Sequence, residues 1–185
     1  MNPYSIALFL HIVGALLLFT ALTLEGIGLR QLRRATTAGE VGDAGGIIGL
    51  GRFVGPASAV GIVVPGLYMT ATTWGWQPWI LVGLTSWLLV AVSGAVNGIR
   101  LTAVSRAVAK SGRLSPEQRD QVGHPVLVTT WLARSAVVVS VVFLMTTKPG
   151  VGGALLVVMA AAAIGIVASL PAWRGARPRR LEDAA

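Results

Sequence analysis

Six side chains with chemical potential sit within or beside long apolar stretches of this chain: His11, Glu25, Met69, Ser93, Asn97 and Arg134. An imidazole among apolar neighbours is a candidate axial heme ligand, and Met69 is a weaker candidate for the opposite position. The competing reading is a neutral His11 hydrogen-bonded to Tyr68, Ser86 or water, since no second histidine lies at its depth. Glu25 and Arg134 carry opposite charges in different apolar stretches. They are expected to pair and pin the two helices together, or, with Asn97 and Ser93, to line a polar path for a proton or an anion. His11 and Glu25 share one helix face, only about 40° apart around the axis, but about 21 Å apart along it. They therefore belong to separate sites. His124 precedes Pro125 at the far end of another apolar stretch, so it cannot complete a bis-histidine site with His11 in one chain.

The elements that must position these groups are membrane helices. The 185 residues are 54% hydrophobic and 12% charged, against about 25% charged in soluble domains. The mean hydropathy is +0.73. The chain has no cysteine, which excludes disulfides, thiolate metal sites and thiol nucleophiles. Five apolar runs, at about 4–28, 54–73, 79–100, 125–146 and 151–171, each approach the ~20 residues needed to cross a hydrocarbon core. The expected architecture is an all-α bundle of five transmembrane helices forming one domain over 1–171. Residues 172–185 form a basic tail expected to be cytoplasmic and disordered.

Between the runs lie a Gly-rich polar segment (31–53), an aromatic link (74–78), a polar loop (101–124) and a tight turn (147–150). Thirteen of the 15 basic residues fall in the first and third of these connections, beside them or in the tail. The positive-inside rule then places the N-terminus outside and the C-terminus in the cytoplasm, as five spans require. The expected location is a bacterial cytoplasmic membrane, with the arginines meeting anionic headgroups rather than nucleic acid. Trp74, Trp76 and Trp79 are expected at the outer interface. Ser115-Pro116-Glu117-Gln118 has the form of a capping box and predicts a short helix over 116–122. Pro65 is expected to kink the second span, and Ser86, Ser93 and Asn97 form a polar stripe on the third. The fifth span, rich in alanine and without charge, is expected at the periphery.

GLGRFVG (49–55) has glycines spaced suggestively for phosphate binding, but no strand precedes it and no Lys-Ser/Thr follows. No HExxH, GxSxG or intramembrane carboxylate pair is present. The main functional expectation is a non-enzymatic accessory or assembly protein, with a membrane-protein partner or a second copy of itself packing on its Gly/Ala-rich faces. Two alternatives are a heme-b redox or heme-handling protein using His11, and a small proton-linked transporter using Glu25, Arg134 and Asn97. Histidines and methionines are too few for an all-protein copper pathway.

Tyr4 followed by LFLHIVGALL, the RFVGP and VVPGLYMT segments of the second span, and a polar third span ending NGIR together give an order of features. That order is similar to a bacterial family of integral membrane proteins, domain of unknown function 2269. More distantly, His11-x-x-Gly14 resembles the first helix of the copper-resistance D (CopD) type and of membrane protoporphyrinogen oxidases. That resemblance implies a heme-binding role for His11. The chain departs from the oxidase pattern in lacking a Leu-Pro-Arg after the first helix and a lysine within the third span.

Overall fold

The computed structural model describes residues 2–113 and 115–174, and every described element is helical. The first five helices each begin where a side chain or a proline resolves the unpaired amides of the first turn. α1 (Pro3–Arg34) opens with Asn2 accepting from the Tyr4 amide at 3.1 Å and with Pro3 in the first turn. α2 (Ala38–Met69) starts from a capping box between Thr37 and Glu40, then widens into a π-helical turn over Thr70–Trp74. α3 (Pro78–Ser111) ends at Gly112, whose φ of 65° is left-handed. α4 (Pro116–Gly123) carries the capping box between Ser115 and Gln118. α5 (Pro125–Thr147) is capped by His124, and α6 (Val151–Ala168) leads into the short α7 (Leu170–Arg174). The tail arginines beyond Arg174 lie outside the described residues.

Five helical stretches are long and apolar enough to cross a membrane, so this is a multi-pass membrane protein. Large apolar side chains point outward along these stretches, among them Phe9, Leu16, Val64, Leu89, Leu156 and Met159. In water such a surface would be an aggregation site; against lipid tails it is the ordinary exterior.

The connections at 31–53 and 101–124 are not loops. Residues 38–53 are the first turns of α2, residues 101–111 are the last turns of α3, and only short links remain around α4. The reason is amphipathic periodicity. Val41, Ala44 and Ile48 recur on one face of α2, and Leu101, Val104 and Val108 on one face of α3. Together with Leu29 and Leu32 of α1, Val122 of α4 and Leu127 of α5, they form one buried cluster. Glycine content and polar neighbours disfavour a helix locally, but burial of this stripe overrides the propensity. α1, α2 and α3, with 32 to 34 residues each, extend about 48–51 Å, well beyond a ~30 Å hydrocarbon core.

α1, α2, α3 and α5 form a ring, α1 lying against α2, α2 against α3 and α3 against α5. α6 docks on the outer side of α5. Two crossings bring backbones together. A Cβ on Gly14 would stand 2.4 Å from the Gly61 carbonyl carbon, and one on Gly165 would stand 2.5 Å from Ala133 Cα. Without a hydrophobic driving force between helices in lipid, such close approach is what holds them.

Candidate functional site

The ring is closed between α1 and α5 by charge. Arg134 Nη2 donates to Glu25 Oε1, with side chains only 7% and 14% exposed. Nε of Arg134 donates to the Thr130 carbonyl, 3.2 Å away on its own helix. The third nitrogen, Nη1, has no hydrogen-bond partner among the described residues. It lies against Gly94 of α3, where a Cβ would come within 2.5 Å of it. Glycine at 94 is therefore what admits the guanidinium. A second α1–α5 bond reinforces the pair: Trp131 Nε1 donates to the Leu22 carbonyl at 2.8 Å. The Trp131 ring fills the space where a side chain on Gly26 would be, 2.4 Å from its Cβ position.

Asn97 is buried and donates to Thr130 Oγ1 at 2.8 Å. It reaches Arg134 only indirectly, through the residue whose carbonyl Arg134 also uses. Ser93 turns its hydroxyl onto the Leu89 carbonyl of its own helix at 2.7 Å. The four residues expected along a polar path thus form an ion pair, an interhelical hydrogen bond and an intrahelical one.

Glu25 and Arg134 line an open cavity of about 610 Å³ between α1, α2 and α3, to which α5 contributes Arg134. Its walls include small residues, among them Gly51 and Gly55 of α2 and Gly94 and Gly98 of α3. At Gly51, Gly55 and Gly98 an added Cβ would meet nothing within 4 Å, so no helix contact requires them to be glycine. Arg52 and Arg106 also line it, and both are exposed. Arg52, assigned by the sequence to a loop, stands in the interior of α2. The signal that could have placed it there is the Val41, Ala44, Ile48 stripe just before it. Three arginines and one glutamate leave the lining with a net charge of +2.

His11 stands apart, about 21 Å from Glu25 along α1. Its Nδ1 lies 2.8 Å from the Ile62 carbonyl oxygen. A carbonyl only accepts, so Nδ1 carries a proton and donates it there, which leaves Nε2 as the ring nitrogen that could ligate a metal. The partner is neither Tyr68 nor Ser86. It is a backbone oxygen in the turn that Pro65 interrupts, since Pro65 has no N–H to offer the Gly61 carbonyl. Gly66 packs on the imidazole, and Met69, three residues on, is buried. His124 caps α5, with Nδ1 accepting from the Val126 amide at 3.4 Å and its ring edge-on to Trp173.

The tryptophans at the opposite end from the arginines divide. Trp76 is exposed, whereas Trp79 is buried and packs edge-on to Trp74. Trp74 donates to the Tyr4 hydroxyl at 3.2 Å and lies under Lys148 Nζ, 3.9 Å from its ring centre. These contacts tie α1, the π-helical turn and the α5–α6 link. Among the described residues, no group of three or more His, Cys, Asp or Glu is placed to hold a metal ion. Comparison of the chain with known protein families, characterised proteins and solved structures gives no match.

Proposed function

We propose that this chain is a non-enzymatic accessory protein of its membrane that works by binding, with the cavity beside Glu25 and Arg134 as its site for an anionic guest. One observation carries the reading. Arg134 is anchored through two of its nitrogens while the third, Nη1, has no hydrogen-bond partner among the described residues, in a cavity whose lining is net positive. A buried guanidinium costs several kcal/mol to desolvate. A structural pair is most stable when every donor is used, whereas a binding site keeps one for its guest. The test is native mass spectrometry of protein released from mild detergent, beside a Glu25→Gln/Arg134→Met double variant. Removing both charges together leaves neither one buried alone. A non-covalent adduct on the native chain, lost from the folded double variant, is expected. An adduct-free native chain, or an adduct unchanged in the double variant, overturns the reading.

A second reading, heme b held through His11, draws on the Nδ1 bond to Ile62. Histidines that ligate iron commonly donate their other ring N–H to a backbone carbonyl in this way. The residues fit one axial ligand. His11 would hold the iron through Nε2, with Nδ1 kept on the Ile62 carbonyl. Visible spectra of oxidised and dithionite-reduced protein, expressed with ample heme, decide this reading. A Soret band lost in His11→Ala supports it, and a featureless spectrum removes it.

A further inference from the structure

We infer that the guest of this cavity is a phospholipid with an anionic headgroup, entering between α2 and α3 with its phosphate between Arg52 and Arg106 and an acyl chain along the glycine-lined walls. The inference rests on the binding reading above and specifies its ligand.

The register of the two helices locates the charges. Gly45 of α2 lies against Ser105 of α3. The helices are antiparallel, so Arg52, seven residues on, stands level with Gly98. Arg106 stands eight residues from Gly98, about 12 Å nearer the arginine-rich end. Cα–Cβ bonds tilt toward a helix N-terminus. For α2 that direction is toward the arginine-rich end, and for α3 it is away from it. The two side chains therefore leave their helices leaning toward each other along the same cleft, which places one anionic group within reach of both. Neither arginine forms an ion pair among the described residues; Arg52 lies over the Phe53 ring at 4.8 Å.

Beyond Gly98 the cleft passes the Glu25–Arg134 pair at Gly94 and is otherwise mostly apolar as far as Trp87, about 16 Å beyond Gly98 on α3. Gly51, Gly55 and Gly98 face open space rather than a neighbouring helix. In the water-free part of a bilayer such a gap must hold a chain of matching polarity, and an acyl tail is the apolar chain that surrounds the protein. A cationic pair at one end and a long apolar cleft at the other are complementary to one molecule carrying both features, with the charge at the level where headgroups meet arginines. A free inorganic anion would match only the first half.

The experiment is native mass spectrometry with matched acyl chains, titrating phosphatidylglycerol or phosphatidylcholine into delipidated full-length protein. The native chain is expected to retain phosphatidylglycerol roughly tenfold more strongly. Arg52→Gln/Arg106→Gln, both at exposed positions, is expected to erase that preference. Gly55→Leu/Gly98→Leu is expected to weaken retention of both lipids. A phosphatidylglycerol with brominated chains is expected to quench the native chain more than a Trp87→Phe variant, which places the tail in the cleft. Equal retention of the two lipids by the native chain, or a preference that survives the double arginine variant, overturns the inference. So does displacement of the guest by millimolar inorganic phosphate; that outcome leaves anion binding intact and removes the lipid. An adduct that is not a lipid but depends on Arg134 has the same meaning. Absence of any adduct sinks the binding reading and this inference together.

Discussion

The two ends of α2 and α3 are held by different physics. At the arginine-rich end, Val41, Ala44, Leu101 and Val108 are at most 2% exposed and pack with Leu29, Leu32 and Val122 into one continuous core. Midway along the bundle the buried apolar cluster shrinks to Leu22, Val90 and Val138, beside a cavity of about 610 Å³. Burying leucine and valine is favourable where the alternative is water. Where the alternative is a lipid tail, the same side chains gain little by turning inward. There the helices are joined instead by backbone contact at glycine, by the Arg134–Glu25 pair and by the Trp131 and Asn97 hydrogen bonds. The packed end thus secures the fold, and the sparse middle is left open for a site.

The largest expected effect breaks the sparse region at its one strong joint. Glu25→Gln leaves Arg134 charged and unpaired, and should cost about 3–5 kcal/mol, read as a lower midpoint in detergent-to-SDS titration. A smaller loss there than in the packed core would mean that water already reaches Arg134. Next comes a matched pair on α3. Leu101→Ala, in the packed core, should cost about 2–5 kcal/mol. Leu89→Ala, twelve residues earlier and 68% exposed to lipid, should stay within about 0.5 kcal/mol. Equal costs would refute the division between the two regions. The smallest effect sharpens the boundary: Thr37→Ala removes the capping box that starts α2 at the water-exposed end and should cost about 1 kcal/mol. Faster amide exchange confined to the first turns of α2, with the cavity walls unchanged, is the expected companion result.

How much of this can be read from residues alone follows the same division. Five apolar helices are legible because runs of apolar residues are their own signal. Glu25 and Arg134 are the acid and base embedded in such runs, and few other partners stand at their depth. The helical segments 38–53 and 101–111 are harder to see. Glycines and charges between the inward positions look like loop composition, while the decisive evidence is a sparse stripe such as Val41, Ala44 and Ile48. The His11 partner is not legible, since a backbone carbonyl has no signature in side-chain types. Nor is the cavity. Gly14 and Gly98 are the same letter, yet one touches a neighbouring backbone and the other faces open space; only the assembled ring separates them.

Because α2 and α3 run without a break from the packed core into the cavity walls, the two helices resemble the arms of a pair of tweezers. The fulcrum is the Val41–Val108 end. The gap between the arms changes when an arm swings about that fulcrum or when α2 bends at Pro56, whose missing N–H interrupts the helix ladder within the cavity wall. α4 leads the chain from one arm to α5 and adds Val122 to the fulcrum itself. A force applied to this short helix from the aqueous side, by a bound partner for instance, would therefore reach the cleft as a change in its aperture.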